Sequence, residues 1–216
     1  MEQETLNRRP ISSRGNKWIV RFAAFLARRN SPTPNQISCF SVLFALLGAT
    51  ALLLFPITHY AMLIFTILGI QLRLLCNLLD GMVAVEGGKK TAVGDIFNEF
   101  PDRIADSVLL IALGYAVGLS WLGWLAALLA MATAYIRVFG GSLGFPQSFK
   151  GLIAKQHRMA VLTLACLFTL FEMFYWQTAY SLTVGLIVIT LGSAWTCVTR
   201  TQLIIAQLEA NKRKES

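Results

Sequence analysis

The sequence predicts an all-α integral membrane protein, with six transmembrane helices preceded by an amphipathic helix lying in the lipid interface. Three observations predict it. The 216-residue chain is 56% hydrophobic with a mean hydropathy of +0.60, and its apolar residues form blocks of about 18–20 residues, the length a helix needs to cross the hydrocarbon core. Its Lys and Arg are confined to alternate connections. Finally, six of its eleven acidic residues, Asp80, Glu86, Asp95, Glu99, Asp102 and Asp106, lie within positions 77–106. Ionisable groups at a bilayer are costly unless paired, hydrated or bound to metal, so such a cluster marks a functional site.

Residues 1–16 are polar, too hydrophilic to pack, and the first long apolar run comes too late for a cleavable signal peptide. Over 17–29 the pattern changes. Trp18, Ile19, Phe22, Phe25 and Leu26 share one helical face, with Lys17, Arg21, Arg28 and Arg29 away from its centre, as expected of a helix resting among anionic headgroups. Thr33, Pro34 and Gln36 then start the first span, as N-cap, first helical residue and reciprocal capping partner. The spans are expected over residues 38–55, 61–79, 104–122, 125–138, 160–175 and 179–203. Gly140, Gly141, Gly144, Pro146 and Gly151 predict an irregular loop over 139–151. The resulting division is 1–30, a polar N-terminus with its juxtamembrane helix; 31–206, the membrane domain; and 207–216, a basic C-terminal tail expected to fray.

The net charge of +8 would suggest nucleic acid for a soluble chain, but its distribution points to membrane topology. All nineteen Lys and Arg lie at the termini, in the connections after the second and fourth spans, or at adjoining helix ends. The other three connections carry none, which places both termini and the acidic cluster on the cytoplasmic side. Trp121, Trp124, Tyr175 and Trp176 fit the aromatic belt of the opposite face. Cys39, Cys76, Cys166 and Cys197 stand singly in apolar helices, without metal spacing, and read as buried small hydrophobes.

Helical spacing organises the acidic cluster. Arg73, Asn77, Asp80 and Ala84 share one face of the second span, while Asp95, Asn98, Asp102 and Asp106 share one face of the helix leading into the third. A short connection, Glu86 to Lys90, makes the two helices antiparallel neighbours, so the rows converge across a groove. Gly81, Ala84, Ala92 and Gly94 leave room for close approach and for a ligand. Oxygen-only donors suit a hard cation such as Mg²⁺, Mn²⁺ or Ca²⁺. At a cytoplasmic membrane face such a cation holds phosphate oxygens and neutralises charge in phosphoryl transfer. A solvated network with Lys89, Lys90 and Arg103 accounts for Glu86, and for Glu99 beside Arg103, but not for Asp80 and Asp102 on the converging faces.

These residues resemble the CDP-alcohol phosphotransferase family, whose motif is D-x₂-D-G-x₂-A-R-x₈-G-x₃-D-x₃-D across the second and third of six transmembrane helices. Here Asn77, Asp80, Gly81, Ala84, Val85, Gly94, Asn98 and Asp102 occupy its positions, and every interval matches. The likeness extends to the Thr33-Pro34-Asn35 entry and covers nearly all the chain after residue 30. It implies transfer of a phosphatidyl group from CDP-diacylglycerol to a polar alcohol, with glycerol 3-phosphate as the default acceptor and CMP as product. By position it implies Asn77, Asp80, Asn98 and Asp102 as ligands for one or two Mg²⁺ or Mn²⁺ ions, Asp102 as the base, and Asp80, Gly81, Ala84 and Gly94 around the CDP group. It also implies a homodimer in a bacterial-type inner membrane. Three residues depart from the pattern: Asn77 and Asn98 replace Asp, and Val85 replaces Arg. The matched site then carries two formal negative charges rather than four, with Glu99 and Asp106 the nearest acids to make up the deficit. A subset of bacterial sequences is similar in showing N-x₂-D-G with G-x₃-N-E-x₂-D.

Arg137, Lys155 and Arg158 flank the Gly-rich loop and resemble the family's pocket for an anionic acceptor, which Arg binds bidentately and Lys as a point charge. His157 is expected to cap a helix or face water, and His59 lies on the far side. The competing expectation is a cation-binding transporter or scaffold that retains the bundle without its chemistry. A transporter would place polar groups along a path through several spans, whereas here they gather at one end. A lipid-anchored regulator using the basic N-terminal helix would leave the acidic cluster unexplained.

Overall fold

The structure, a computed structural model, describes residues 17–29, 31–58, 60–89, 91, 93–146, 148 and 151–215, without the side chains of residues 57, 58, 86, 95, 214 and 215. The expectations for residues 1–16, His59, Lys90, Ala92 and Lys150, and for the side chains of Glu86 and Asp95, lie outside the described residues. Those described form seven helices and no strand: α1 (Lys17–Ala27), α2 (Pro34–Thr58), α3 (Tyr60–Glu86), α4 (Gly94–Ala116), α5 (Ser120–Ser142), α6 (Lys155–Tyr175) and α7 (Tyr180–Glu215).

Five of these, α2, α3, α5, α6 and α7, are long and apolar enough to cross a membrane. Of the six spans expected, the exception is α4, whose first half carries Asp95, Glu99, Asp102 and Asp106. Yet α4 is central to the bundle, packing on α2 and α5, with Ala105, Leu109, Leu110 and Leu113 fully buried. The chain turns between α4 and α5 at Val117–Leu119, so Trp121 and Leu122, expected in the third span, open α5 instead. Gly118, at φ 73°, makes that turn possible without a Cβ clash. Small residues set the tightest crossings. A Cβ on Gly69 would lie 2.8 Å from the Cα of Gly48, and one on Gly114 would lie 2.6 Å from the Cα of Gly123. In lipid, such close backbone approach supplies the packing that hydrophobicity cannot.

The expected capping box forms: the Thr33 amide donates to Gln36 Oε1 at 2.9 Å, and the Gln36 amide to Thr33 Oγ1 at 3.3 Å. The apolar side of α1 divides into two strips. Ala23, with Ile19, Val20, Leu26 and Ala27, packs on Ile37, Leu79, Met82 and Val83, whereas Trp18, Phe22 and Phe25 remain exposed. Arg21 lies over the Trp18 ring and Arg29 over Phe25. The Lys89 ammonium donates to the Arg29 carbonyl, joining α1 to the turn after α3.

Two further boundaries differ from expectation. Helix α5 continues through Gly140 and Gly141 to Ser142, so less of 139–151 is irregular. Helix α7 continues to Glu215, far past the expected end of the last span: its final turns are rich in Lys, Arg, Gln and Glu, good helix formers even without burial. Among the cysteines, Cys166 is buried but Cys39 is exposed on the bundle surface.

Candidate functional site

The turn after α3 brings the two predicted faces together. Amides of Gly87, Gly88 and Lys89 donate back to carbonyls of Val83, Val85 and Ala84, and Gly88 takes φ 60°, a left-handed helix stop that glycine adopts freely. Asp80 from α3 and Asp102 from α4 are both buried and close enough for their charges to act on one another. Asp80 is fixed on both oxygens: Ser38 Oγ donates to Oδ2 at 2.6 Å and the Gly81 amide to Oδ1 at 2.5 Å. A Cβ on Gly81 would meet nothing within 4 Å, so the position after Asp80 opens onto free space. Asn77 is half-buried, with its amide nitrogen unpartnered, and Asn98 is exposed. Ala84 is half-buried, Val85 is exposed, and Gly94 lies at the first turn of α4.

A set of cations closes on the same groove. Arg73 on α3 donates to Asp106 Oδ1 at 2.6 Å and to the Asp102 carbonyl at 3.4 Å, and lies 3.6 Å from Asp102 Oδ1. Arg158 on α6 donates to Asp106 Oδ2 at 2.7 Å and, at 3.4 Å, to Thr133 Oγ1 and the Ile153 carbonyl. Arg73, Asp106 and Arg158 are each almost fully buried. They form one ion-paired triad across three helices. Asp102 Oδ2 is held by the Lys155 ammonium, with Arg103 at 4.0 Å, while its buried Oδ1 accepts no hydrogen bond.

Lys155 is positioned by the segment before α6. The Ile153 amide donates to Thr196 Oγ1 on α7 at 3.1 Å, and Gly151, at φ 144°, packs so close to Thr196 that a Cβ would lie 2.3 Å from its methyl. Glu99, expected as a supplementary metal ligand, instead accepts from Arg137 at 2.5 Å and lies 3.4 Å from Arg103.

The expected assignments therefore separate. Asp106, the other supplementary ligand, has both oxygens committed to guanidiniums. Of the three acceptor residues, Arg158 is sealed inside the triad, Lys155 sits on Asp102, and only Arg137 lines a cleft. That cleft, a shallow one, is bounded by Arg137, Phe145, Ser148, Arg200 and Gln207. His157 is exposed, its Nδ1 3.0 Å from the Leu152 carbonyl, as capping predicts. Sequence reasoning placed Arg73 on the face of Asp80 without naming its partner, and brought none of Ser38, Thr133 or Arg200 to the site. Arg73 had a signal, being a lone guanidinium inside an apolar span; Ser38 had none.

The donors fit a hard divalent cation in part. Asp80 and Asp102 supply carboxylates, and Asp102 Oδ1 is a buried oxygen short of a hydrogen-bond partner, as a ligand site would leave it. No group of three or more His, Cys, Asp or Glu able to hold a metal occurs among the described residues, which leaves the carboxamides to complete any set.

The helical bundle has the fold of a CDP-alcohol phosphotransferase, as the likeness to solved structures shows. The particular likeness is to phosphatidylinositol phosphate synthase of Mycobacterium tuberculosis, a member of that family. Its structure with CDP-DAG bound superposes with a TM-score of 0.72, at 21% identity over 88% of this chain and 94% of that one. Its complex with manganese and citrate gives 0.72, at 22% identity over 86% and 88%. At this identity the likeness establishes the fold. No protein-family model matches the chain, and no curated protein matches it.

Proposed function

We propose that this protein transfers a phosphatidyl group from CDP-diacylglycerol to a polar alcohol, with glycerol 3-phosphate the first acceptor to test, and releases CMP. The observation that carries this reading is the convergence of Asp80 and Asp102, at the family's spacing, beside open space at Gly81. The neighbour structures with CDP-DAG and with manganese support it. Asp80, with the carboxamides of Asn77 and Asn98, would hold Mg²⁺ or Mn²⁺ near Asp102, and a bound cation there would offset charge on the pyrophosphate oxygens. Gly81, Ala84 and Gly94 leave space for the cytidine nucleotide. The acceptor hydroxyl loses its proton to Asp102 Oδ1, the oxygen that accepts no hydrogen bond. Its oxygen bonds to the phosphorus bearing the diacylglycerol as the bond from that phosphorus to the CMP oxygen breaks. Arg137, with Arg200 across the cleft, binds the acceptor's phosphate, while Lys155 and Arg158 act on it through the charge of the groove.

In this reading α4 is the sixth span, screened from lipid by its neighbours. Both termini and the groove face the cytoplasm, α1 lies in the interface with Trp18, Phe22 and Phe25 toward lipid, and two chains pair.

The test is CMP release from labelled CDP-diacylglycerol in membranes, with Mg²⁺ or Mn²⁺ and a panel of alcohols. Asp80→Asn and Asp102→Asn should each lower it by about 10²- to 10⁴-fold. Metal-dependent release that survives both substitutions, or no release with any acceptor, overturns the reading in favour of a bundle without the chemistry.

A further inference from the structure

We infer that Lys155 stands in for a second metal ion, so that the groove takes one divalent cation. The inference rests on the metal-dependent reading above and assigns a role to a cation of the chain itself. A metal ion on each oxygen of Asp102 would need both oxygens free. In Asp102 the Lys155 ammonium already occupies Oδ2, and Oδ1 alone accepts no hydrogen bond. Arg73 lies 3.6 Å from Oδ1 and Arg103 4.0 Å from Oδ2, so Asp102 already faces three cations of the protein.

Two further observations point the same way. Asn77 and Asn98, the carboxamides that with Asp80 would hold the one ion, are neutral; an amide keeps an oxygen donor but removes the charge that would balance another dication. And Lys155 is no wandering surface lysine. It opens α6 directly after a segment pinned to Thr196, and its side chain is 20% exposed. Its ammonium is thus a fixed charge delivered to one oxygen. Lys155 is a positioning residue: it orients Asp102 and caps its outer oxygen, leaving Oδ1 to receive the acceptor's proton.

Counting bound Mn²⁺ tests this without turnover. The full chain, in nanodiscs carrying CDP-diacylglycerol and no acceptor, is equilibrated with Mn²⁺; bound metal is counted against blank discs, and electron paramagnetic resonance reports whether two ions are coupled. The wild type is expected to bind one uncoupled Mn²⁺ per chain, lost in Asp80→Asn. Lys155→Met should tighten that ion by on the order of tenfold, as removal of an adjacent cation predicts. Asn77→Asp with Asn98→Asp should still bind one ion while Lys155 is present. It should bind two, with a coupled spectrum, once Lys155→Met is added, and one again with Lys155→Arg. Two ions in the wild type or in the double Asp variant, or no second ion after Lys155→Met in the double Asp background, overturns the inference and leaves the metal site standing. No Asp80-dependent ion in the wild type overturns both.

Discussion

Both oxygens of Asp106 are occupied by guanidiniums from different helices, so its charge serves to join α3, α4 and α6. Removing one partner of a buried ion pair costs about 3–5 kcal/mol, because the remaining charge stays in the low-dielectric interior. Asp106→Asn, which keeps the shape, should therefore markedly lower the melting midpoint of the detergent-solubilised protein. An unchanged midpoint would show that the triad carries no stability. Helical spacing placed Asp102 and Asp106 on one face, which made both look like ligands. It could not separate them, since the partner that commits Asp106, Arg158, lies 52 positions away. Spacing within a helix reports the side of the helix, whereas the atom across from it depends on how the bundle closes.

At the level of helices, local signals were read well and packing partners poorly. The capping box at Thr33–Gln36 needs only four residues and formed as expected. The connection expected around Gly118–Ser120 is where the chain turns between α4 and α5, but hydropathy has no edge inside this apolar run, so a span drawn by it runs on to Leu122. Helix α1 looked singly amphipathic because hydrophobicity alone cannot distinguish residues packed on protein from residues facing outward. The glycines offer a sharper test of which contacts matter. Gly69 is pressed against Gly48, so Gly69→Leu should force α2 and α3 apart and lower the yield of folded protein. Gly81 has open space, so Gly81→Leu should leave folding intact while reducing binding of CDP-diacylglycerol at least tenfold, an effect equal to about 1.4 kcal/mol. Equal damage from both, seen by size-exclusion profile and donor binding, would remove the case for a nucleotide cavity beside Asp80.

For the molecule as a whole, the class of fold was legible because a bilayer imposes length, apolarity and charge asymmetry on any chain that crosses it. The central helix was also legible, although its charged first half keeps it outside the simple criteria for a span. If α4 crosses, the turns at Gly88 and Gly118 lie on opposite sides. A phosphatase active only outside the cytoplasm should then be silent when fused after Gly88 and active when fused after Gly118. Activity in both, or in neither, would rule out the six-span arrangement.

The last helix, α7, has 36 residues, about 54 Å at 1.5 Å per residue, against a hydrocarbon thickness of about 30 Å. It is a continuous rod that outruns the layer its apolar half can occupy. A helical marker protein joined in phase to Glu215 would inherit the axis of α7 and turn rigidly with the bundle. For a chain of 23.9 kDa, too small to align well in electron micrographs unaided, that overhang is a ready attachment point for imaging.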